Sequence, residues 1–200
     1  MRFSRLAPEL FSLAGPHPAR PHSARFGPDR IERLPMKDMI AVERRENVAH
    51  VVLDRADKLN AMNLAMWRFL ADEIRRLGED NSLRCIVVRS ASPKVFGAGA
   101  DIEEFPSLRS TSAQARAYAE VSNAALLALR HSVHPTVAMV SGICVGGGLE
   151  LATMCDLRIC SDDSRFGIPV GRLGLTMNHC EMKGLVDIVG RSVALEMLLE

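Results

Sequence analysis

The run Ser141-Gly142-Ile143-Cys144-Val145-Gly146-Gly147-Gly148-Leu149-Glu150 places three consecutive glycines and a carboxylate inside otherwise apolar sequence. A strand, Thr136 to Val140, is expected to enter it, and a helix, Leu149 to Cys155, to leave it. Such a strand–turn–helix junction leaves bare backbone N–H groups at a helix start, where negative charge is favoured. Glu150 then falls one or two residues into the helix, within reach of anything bound at the turn. In the functional reading Gly147 supplies a backbone donor to an oxyanion and Glu150 moves a proton. In the structural reading the glycines only let helix and strand pack closely.

A second turn of the same kind lies upstream. Phe96-Gly97-Ala98-Gly99-Ala100-Asp101-Ile102 follows a short apolar strand, Cys85 to Val88, and precedes an acidic segment that starts a helix. Around these two turns the chain alternates strand and helix. Ile40 to Arg44 and Val48 to Asp54 read as a β-hairpin. Asn63 is an N-cap for a helix through Leu77 that sets Trp67, Leu70, Ala71, Ile74 and Leu77 on one face, and Gly78 closes it. Strand, helix, strand in that order implies parallel pairing with a right-handed crossover. Ser112 is expected to cap a helix to Leu129, and His134-Pro135 to end that element. Asp156 to Cys160 reads as a strand with Leu157 and Ile159 on one face. Ser164 to Asn178 reads as a loop, and Cys180 to Val189 and Ser192 to Glu200 as helices.

The bulk properties fit one globular domain. The 200 residues suffice for a buried core, and 48% apolar with 24% charged residues is ordinary for such a chain. A net charge of +1 gives no basic patch for nucleic acid, and no apolar run is long enough to span a membrane. The five cysteines form no Cys-x-x-Cys pair and read as buried free thiols of a reducing compartment. Residues 1–35 differ: arginine and proline crowd them, lysine is absent, and apolar periodicity is poor. They read as a disordered or non-native extension, with an organellar transit peptide as the alternative. The domain is therefore expected to occupy residues 36–200, in the cytoplasm, or in the mitochondrion if the extension is a transit peptide.

Four pieces, in order, resemble the enoyl-CoA hydratase/isomerase (crotonase) superfamily. They are Arg55-x-x-Lys58-Leu59-Asn60-Ala61-Met62, Phe96-Gly97-Ala98-Gly99-Ala100-Asp101-Ile102, Gly142-x-Cys144-x-Gly146-Gly147-Gly148-x-Glu150-Leu151, and Cys155-Asp156-x-Arg158 followed by Phe166-Gly167-x-Pro169. The resemblance covers the chain from about residue 39. It implies an α/β architecture, the crotonase-like (ClpP/crotonase) fold of repeated ββα units with sheets surrounded by helices. It also implies an acyl-CoA thioester substrate, a homotrimer or hexamer, no metal, and no cofactor beyond the coenzyme A of the substrate. The oxyanion donors it implies are the N–H groups of Ala98 and Gly147, with Glu150 for proton transfer. Ala98, Gly99, Ala100 and Asp101 would line the acyl site with Gly146 and Gly147. Arg55, Lys58 and Leu59 would lie near the CoA nucleotide, where a cation suits phosphate. Of these, Asp101 reads better as a structural residue at a helix start.

One position departs from the pattern. Hydratases of the family resemble one another in a second glutamate after Phe-Gly-x-Pro, and here that residue is Val170. Glu150 is therefore expected to act alone, with hydration or double-bond isomerisation of an enoyl-CoA as the nearest reaction. Decarboxylation, dehalogenation, thioester hydrolysis and non-catalytic acyl-CoA binding are the alternatives. Asn178, His179 and Glu181 form a polar cluster that reads as a capping box, with His179 as an acid or base the second possibility. None of Asp101, Asp162, Asp163 and Glu181 is expected to reach the reacting carbons. The resemblance further implies C-terminal helices that are short or missing in these 200 residues.

Overall fold

The computed structural model describes residues 32–36 and 39–199. Of the expected N-terminal extension, residues 1–31 lie outside the described residues, and the expected boundary near residue 36 falls at the end of the first strand.

Strands β1 (Glu32–Met36), β2 (Ile40–Arg45) and β3 (Val48–Leu53) form an antiparallel meander, with Met36 opposite Ile40 and Arg45 opposite Val48. Helix α1 (Leu64–Gly78) crosses to β4 (Cys85–Ser90), which pairs parallel with β3. Asn63 caps α1 as expected, its side chain accepting from the Met66 N–H at 2.8 Å. The helix ends at Gly78, as expected, with Gly78 still helical and Glu79 taking the C-cap. Strands β6 (Thr136–Val140) and β8 (Leu157–Cys160) extend the sheet in parallel to the order β1-β2-β3-β4-β6-β8.

A second sheet was not legible in advance. Strands β5 (Val95–Gly97), β7 (Ile143–Val145) and β9 (Arg165–Gly167) pair in parallel as β5-β7-β9. Each follows directly on a strand of the large sheet: β5 on β4, β7 on β6, β9 on β8. After each short strand the chain goes into helix. A short helix α2 (Phe105–Leu108) and then α3 (Ser112–Arg130) follow β5, α4 (Gly147–Met154) follows β7, and α5 (His179–Leu199) follows β9. These are the ββα units that the resemblance implied.

The cap of α3 is Thr111 rather than Ser112. Its side chain accepts from the Gln114 N–H, and Gln114 accepts in return from the Thr111 N–H, a reciprocal box for which Ser112 stands one residue too late. Helix α5 bends at Gly190 (φ 73°, ψ 169°), a conformation open essentially to glycine, so the two helices expected there are two arms of one bent element. One core joins the layers: Trp67, Leu70 and Ile74 of α1, Leu126 and Leu129 of α3, and Ile86, Val88 and Ala138 of the large sheet. Leu157 and Ile159 do share a face, but it is the exposed one, at 60% and 61%. No helix among the described residues is long and apolar enough to cross a membrane.

Candidate active site

The carboxyl ends of β5, β7 and β9 lie side by side, because the three strands are parallel neighbours. Ligands of parallel sheets gather at such ends. Here the segments that leave them line one cavity: Ala98, Gly99 and Ala100 after β5, Gly146 and Gly147 after β7, Pro169 and Val170 after β9. The cavity is completed by Trp67 of α1, Tyr118 and Ser122 of α3, Glu150 of α4, Glu181 of α5, and Phe105 and Arg109.

The two glycine turns touch main chain to main chain. A Cβ on Gly148 would stand 2.5 Å from the Gly97 carbonyl oxygen, and one on Gly97 would stand 3.2 Å from the Gly148 Cα. The chain meets this closeness by starting α4 at Gly147, two residues before the expected Leu149. Glu150 is thus the fourth helical residue, and its N–H donates to the Gly146 carbonyl at 2.9 Å. The Gly147 N–H belongs to the unsatisfied first turn and faces the cavity wall formed by Gly99.

The other expected donor is corrected. The Ala98 N–H donates to the Leu59 carbonyl at 3.0 Å and is not free. At the neighbouring bridge between Met62 and Ala100, the Met62 N–H donates to Gly99 and the Asp101 N–H donates to Met62. That register leaves the Ala100 N–H without an acceptor among the described residues. Ala100 and Gly147 are therefore free backbone donors that the paired turns bring to the cavity.

Glu150 lines the cavity half-buried. Burial pushes its carboxyl up to about 8, the charge of Glu181 adds to the rise, and Arg109 opposes it. Glu181, which was not expected to reach the reacting carbons, lines the same cavity. It does make the expected capping box: its N–H donates to Asn178 Oδ1 at 3.1 Å, and the Asn178 N–H donates to its Oε2 at 2.7 Å. One carboxylate does both because the cap needs only one oxygen. Burial raises the Glu181 carboxyl as well, with the Asn178 N–H and Arg109 pulling it back. Asp162 and Asp163 are exposed and line nothing here, and Val170 contributes an apolar wall. His179 begins α5 and does not line the cavity.

The residues expected at the CoA nucleotide lie on the 55–62 loop beside the Ala98–Asp101 turn. Arg55 Nη1 donates to Asp101 Oδ2 at 2.7 Å and to the Ala61 carbonyl at 2.8 Å, with 15% of the arginine and 7% of the aspartate side chain exposed. Both side chains brace the 55–62 loop against the Ala98–Asp101 turn. Burial pushes Asp101 up, but Arg55 and the Glu103 N–H hold its carboxyl below the ordinary value. It caps the following turn, the structural role expected of it. Lys58 is more open and pairs with Glu103 Oε1 at 2.7 Å, and Leu59, at 52% exposure, takes a left-handed backbone to turn the loop. None of Arg55, Lys58, Leu59 and Asp101 lines the cavity. Arg109 and Tyr118 do, and nothing in their local sequence marked them. Burial pushes the Tyr118 hydroxyl up to about 12.

Known proteins resemble this chain in sequence and in fold. A probable mitochondrial enoyl-CoA hydratase of Arabidopsis thaliana is 35% identical over 76% of this chain and 50% of its own. A probable enoyl-CoA hydratase of Mycobacterium leprae is 35% identical over 81% of this chain and 61% of its own. Among solved structures, an enoyl-CoA hydratase/carnithine racemase from Magnetospirillum magneticum superposes with a TM-score of 0.79 at 40% identity, covering 82% of this chain and 61% of that one. The chain thus spans about half to three fifths of the length of these relatives. A sequence profile of the enoyl-CoA hydratase/isomerase family matches residues 43–200, and with the paired glycine turns and the ββα units in place, the chain belongs to that family.

Proposed function

We propose that the protein adds water across the α,β double bond of an enoyl-CoA thioester. The observation that carries this reading is the pair of carboxyl groups, Glu150 and Glu181, lining the one cavity whose wall offers the free N–H groups of Ala100 and Gly147. A two-acid site suits hydration, which needs one group to take a proton from water and another to deliver a proton to carbon. Burial, with the charge of Glu181 adding to it, keeps the proton on Glu150 in the neutral range, so in this scheme Glu150 is the proton donor and Glu181 the base.

In the forward step the Glu181 carboxylate takes a proton from water, and the oxygen bonds to the β-carbon. The thioester oxygen gathers the negative charge and is held by Ala100 and Gly147. The Glu150 carboxyl gives its proton to the α-carbon, and the enolate returns to a thioester. One water is consumed and the pair again holds one proton. Backbone donors need no reorganisation as the charge develops, and each contributes about 3 kcal/mol at the transition state. The acyl group rides on coenzyme A, and the scheme uses no other cofactor. Assembly as a trimer or a dimer of trimers belongs to the same proposal and is read by sedimentation.

Double-bond isomerisation is the second reading. It is favoured by the hydrogen bond that engages Glu181 Oε2 at the cap, which leaves Glu150 as the freer acid. Turnover of an enoyl-CoA panel in isotopically labelled water separates the two. A product one water heavier and carrying the label supports hydration, and a product isobaric with the substrate supports isomerisation. Glu150→Gln is expected to slow either reaction about 100-fold or more. Equal rates for both proteins would remove Glu150 from the chemistry.

A further inference from the structure

Arg109 is the one cation lining the cavity among the described residues. It directly follows α2, and its guanidinium carbon lies 4.3 Å from the centroid of the Phe105 ring and 5.2 Å from that of Tyr118. The two rings meet edge to face, 6.2 Å apart at 77°, and form a rigid bracket around the cation. Stacking uses the faces of a guanidinium and leaves its N–H donors, which lie in the plane, for another partner. No carboxylate forms an ion pair with Arg109 among the described residues, whereas Arg55 pairs with Asp101, Arg76 with Glu73, Arg89 with Glu43 and Arg130 with Asp187.

The acids nearest to it do not fill the gap. Glu150 and Glu181 both feel the charge of Arg109, yet neither reaches ion-pair distance. Glu150 keeps its proton at neutral pH, and Glu181 has one oxygen engaged at the cap. Glu104, whose charge acts on Tyr118, accepts from the Leu64 N–H at 2.8 Å. An organised, partly desolvated cation thus faces a substrate cavity with its forked donors unspent. Such a fork matches a carboxylate.

We infer that the cavity takes acyl-CoA thioesters whose acyl chain carries a second, free carboxylate, and that Arg109 binds this carboxylate. The inference rests on the acyl-CoA reading given above and adds the substrate class to it. A carboxylate of ordinary acidity is fully ionised at neutral pH, so it is a better partner for Arg109 than the protonated Glu150. An acyl chain with a methyl terminus would leave the guanidinium without its partner.

The test compares thioesters matched in length, pent-2-enoyl-CoA with pent-2-enedioyl-CoA and hex-2-enoyl-CoA with hex-2-enedioyl-CoA. The wild-type protein is expected to favour the carboxylated member of at least one pair about tenfold or more in kcat/KM, the scale of a charge-assisted hydrogen bond. Arg109→Gln is expected to narrow that ratio at least tenfold, mainly through KM, and Arg109→Lys, which keeps the charge without the fork, to recover part of it. No preference at either length, or a preference that Arg109→Gln leaves intact, overturns the inference. If none of the four thioesters is turned over, the reaction reading fails and calorimetry decides this one separately. Glutaryl-CoA binding tighter than pentanoyl-CoA, with the difference lost in Arg109→Gln, upholds the inference, and equal binding of the two overturns it.

Discussion

At the scale of single residues, hydrogen-bond accounting moves one donor by two positions. Ala98 was the expected donor because it stands in the glycine turn, but Leu59 already takes its N–H, and the free group is Ala100. An unreactive acyl-CoA bound in the cavity is therefore expected to place its thioester oxygen about 3 Å from the N–H groups of Ala100 and Gly147. A crystal structure showing the Ala98 N–H turned from Leu59 to that oxygen would contradict this. Glu181 was read correctly as a cap and missed as a cavity residue, since local spacing reports the cap while only tertiary packing brings α5 to Glu150. Glu181→Gln separates the two roles. Glutamine serves in a capping box, as Gln114 does in α3, so thermal stability is expected to change by no more than about 0.5 kcal/mol. Hydration is expected to fall about 100-fold. A variant that keeps full turnover would return Glu181 to a purely structural role.

Among the elements, the large sheet and the long helices were legible because they are long enough to show a period. Cys85–Ser90 and Thr136–Val140 were found as strands, and Asn63 marked the start of α1. The small sheet was not found, because strands of three residues are too short to alternate. Ile143–Val145 was read as part of a turn for that reason. Yet this sheet carries the site, since it lines up the three segments that form the cavity wall. Two braces hold those segments. Arg55 and Asp101 tie the first turn to the loop before it, and Asp101→Asn is expected to cost about 3 kcal/mol, the usual result of stranding one partner of a buried pair. Denaturant unfolding measures the loss. The second brace is the Gly97–Gly148 contact. Gly148→Ala puts a methyl group 2.5 Å from a carbonyl oxygen, and a loss of about 1–3 kcal/mol with a sharp drop in turnover is expected. An alanine variant of full stability and activity would show that the turns are not in contact.

For the molecule as a whole, the buried acids set how stability follows pH. Glu150 has a folded value of about 8 against an ordinary 4.5, so it favours the folded state below 4.5 and that stability drains away as pH rises to about 8. Glu181 is raised too and acts in the same direction. Asp101 and Asp187 are depressed, so what they contribute is present above the ordinary 3.8 and is lost as pH falls further. The urea midpoint is expected to decline from pH 5 to about 8 and then level off, and Glu150→Gln is expected to remove much of that decline. An identical slope in the variant would show that Glu150 is not buried as an acid. The contact between Gly97 and Gly148 has one more consequence. It sets the spacing of the two turns through atoms that every amino acid possesses, and no side chain takes part in it. The spacing of the two turns is thereby insulated from changes in Phe105, Arg109 or Val170. The rest of the cavity wall can change in sequence while the placing of the Ala100 and Gly147 donors stays written in the main chain.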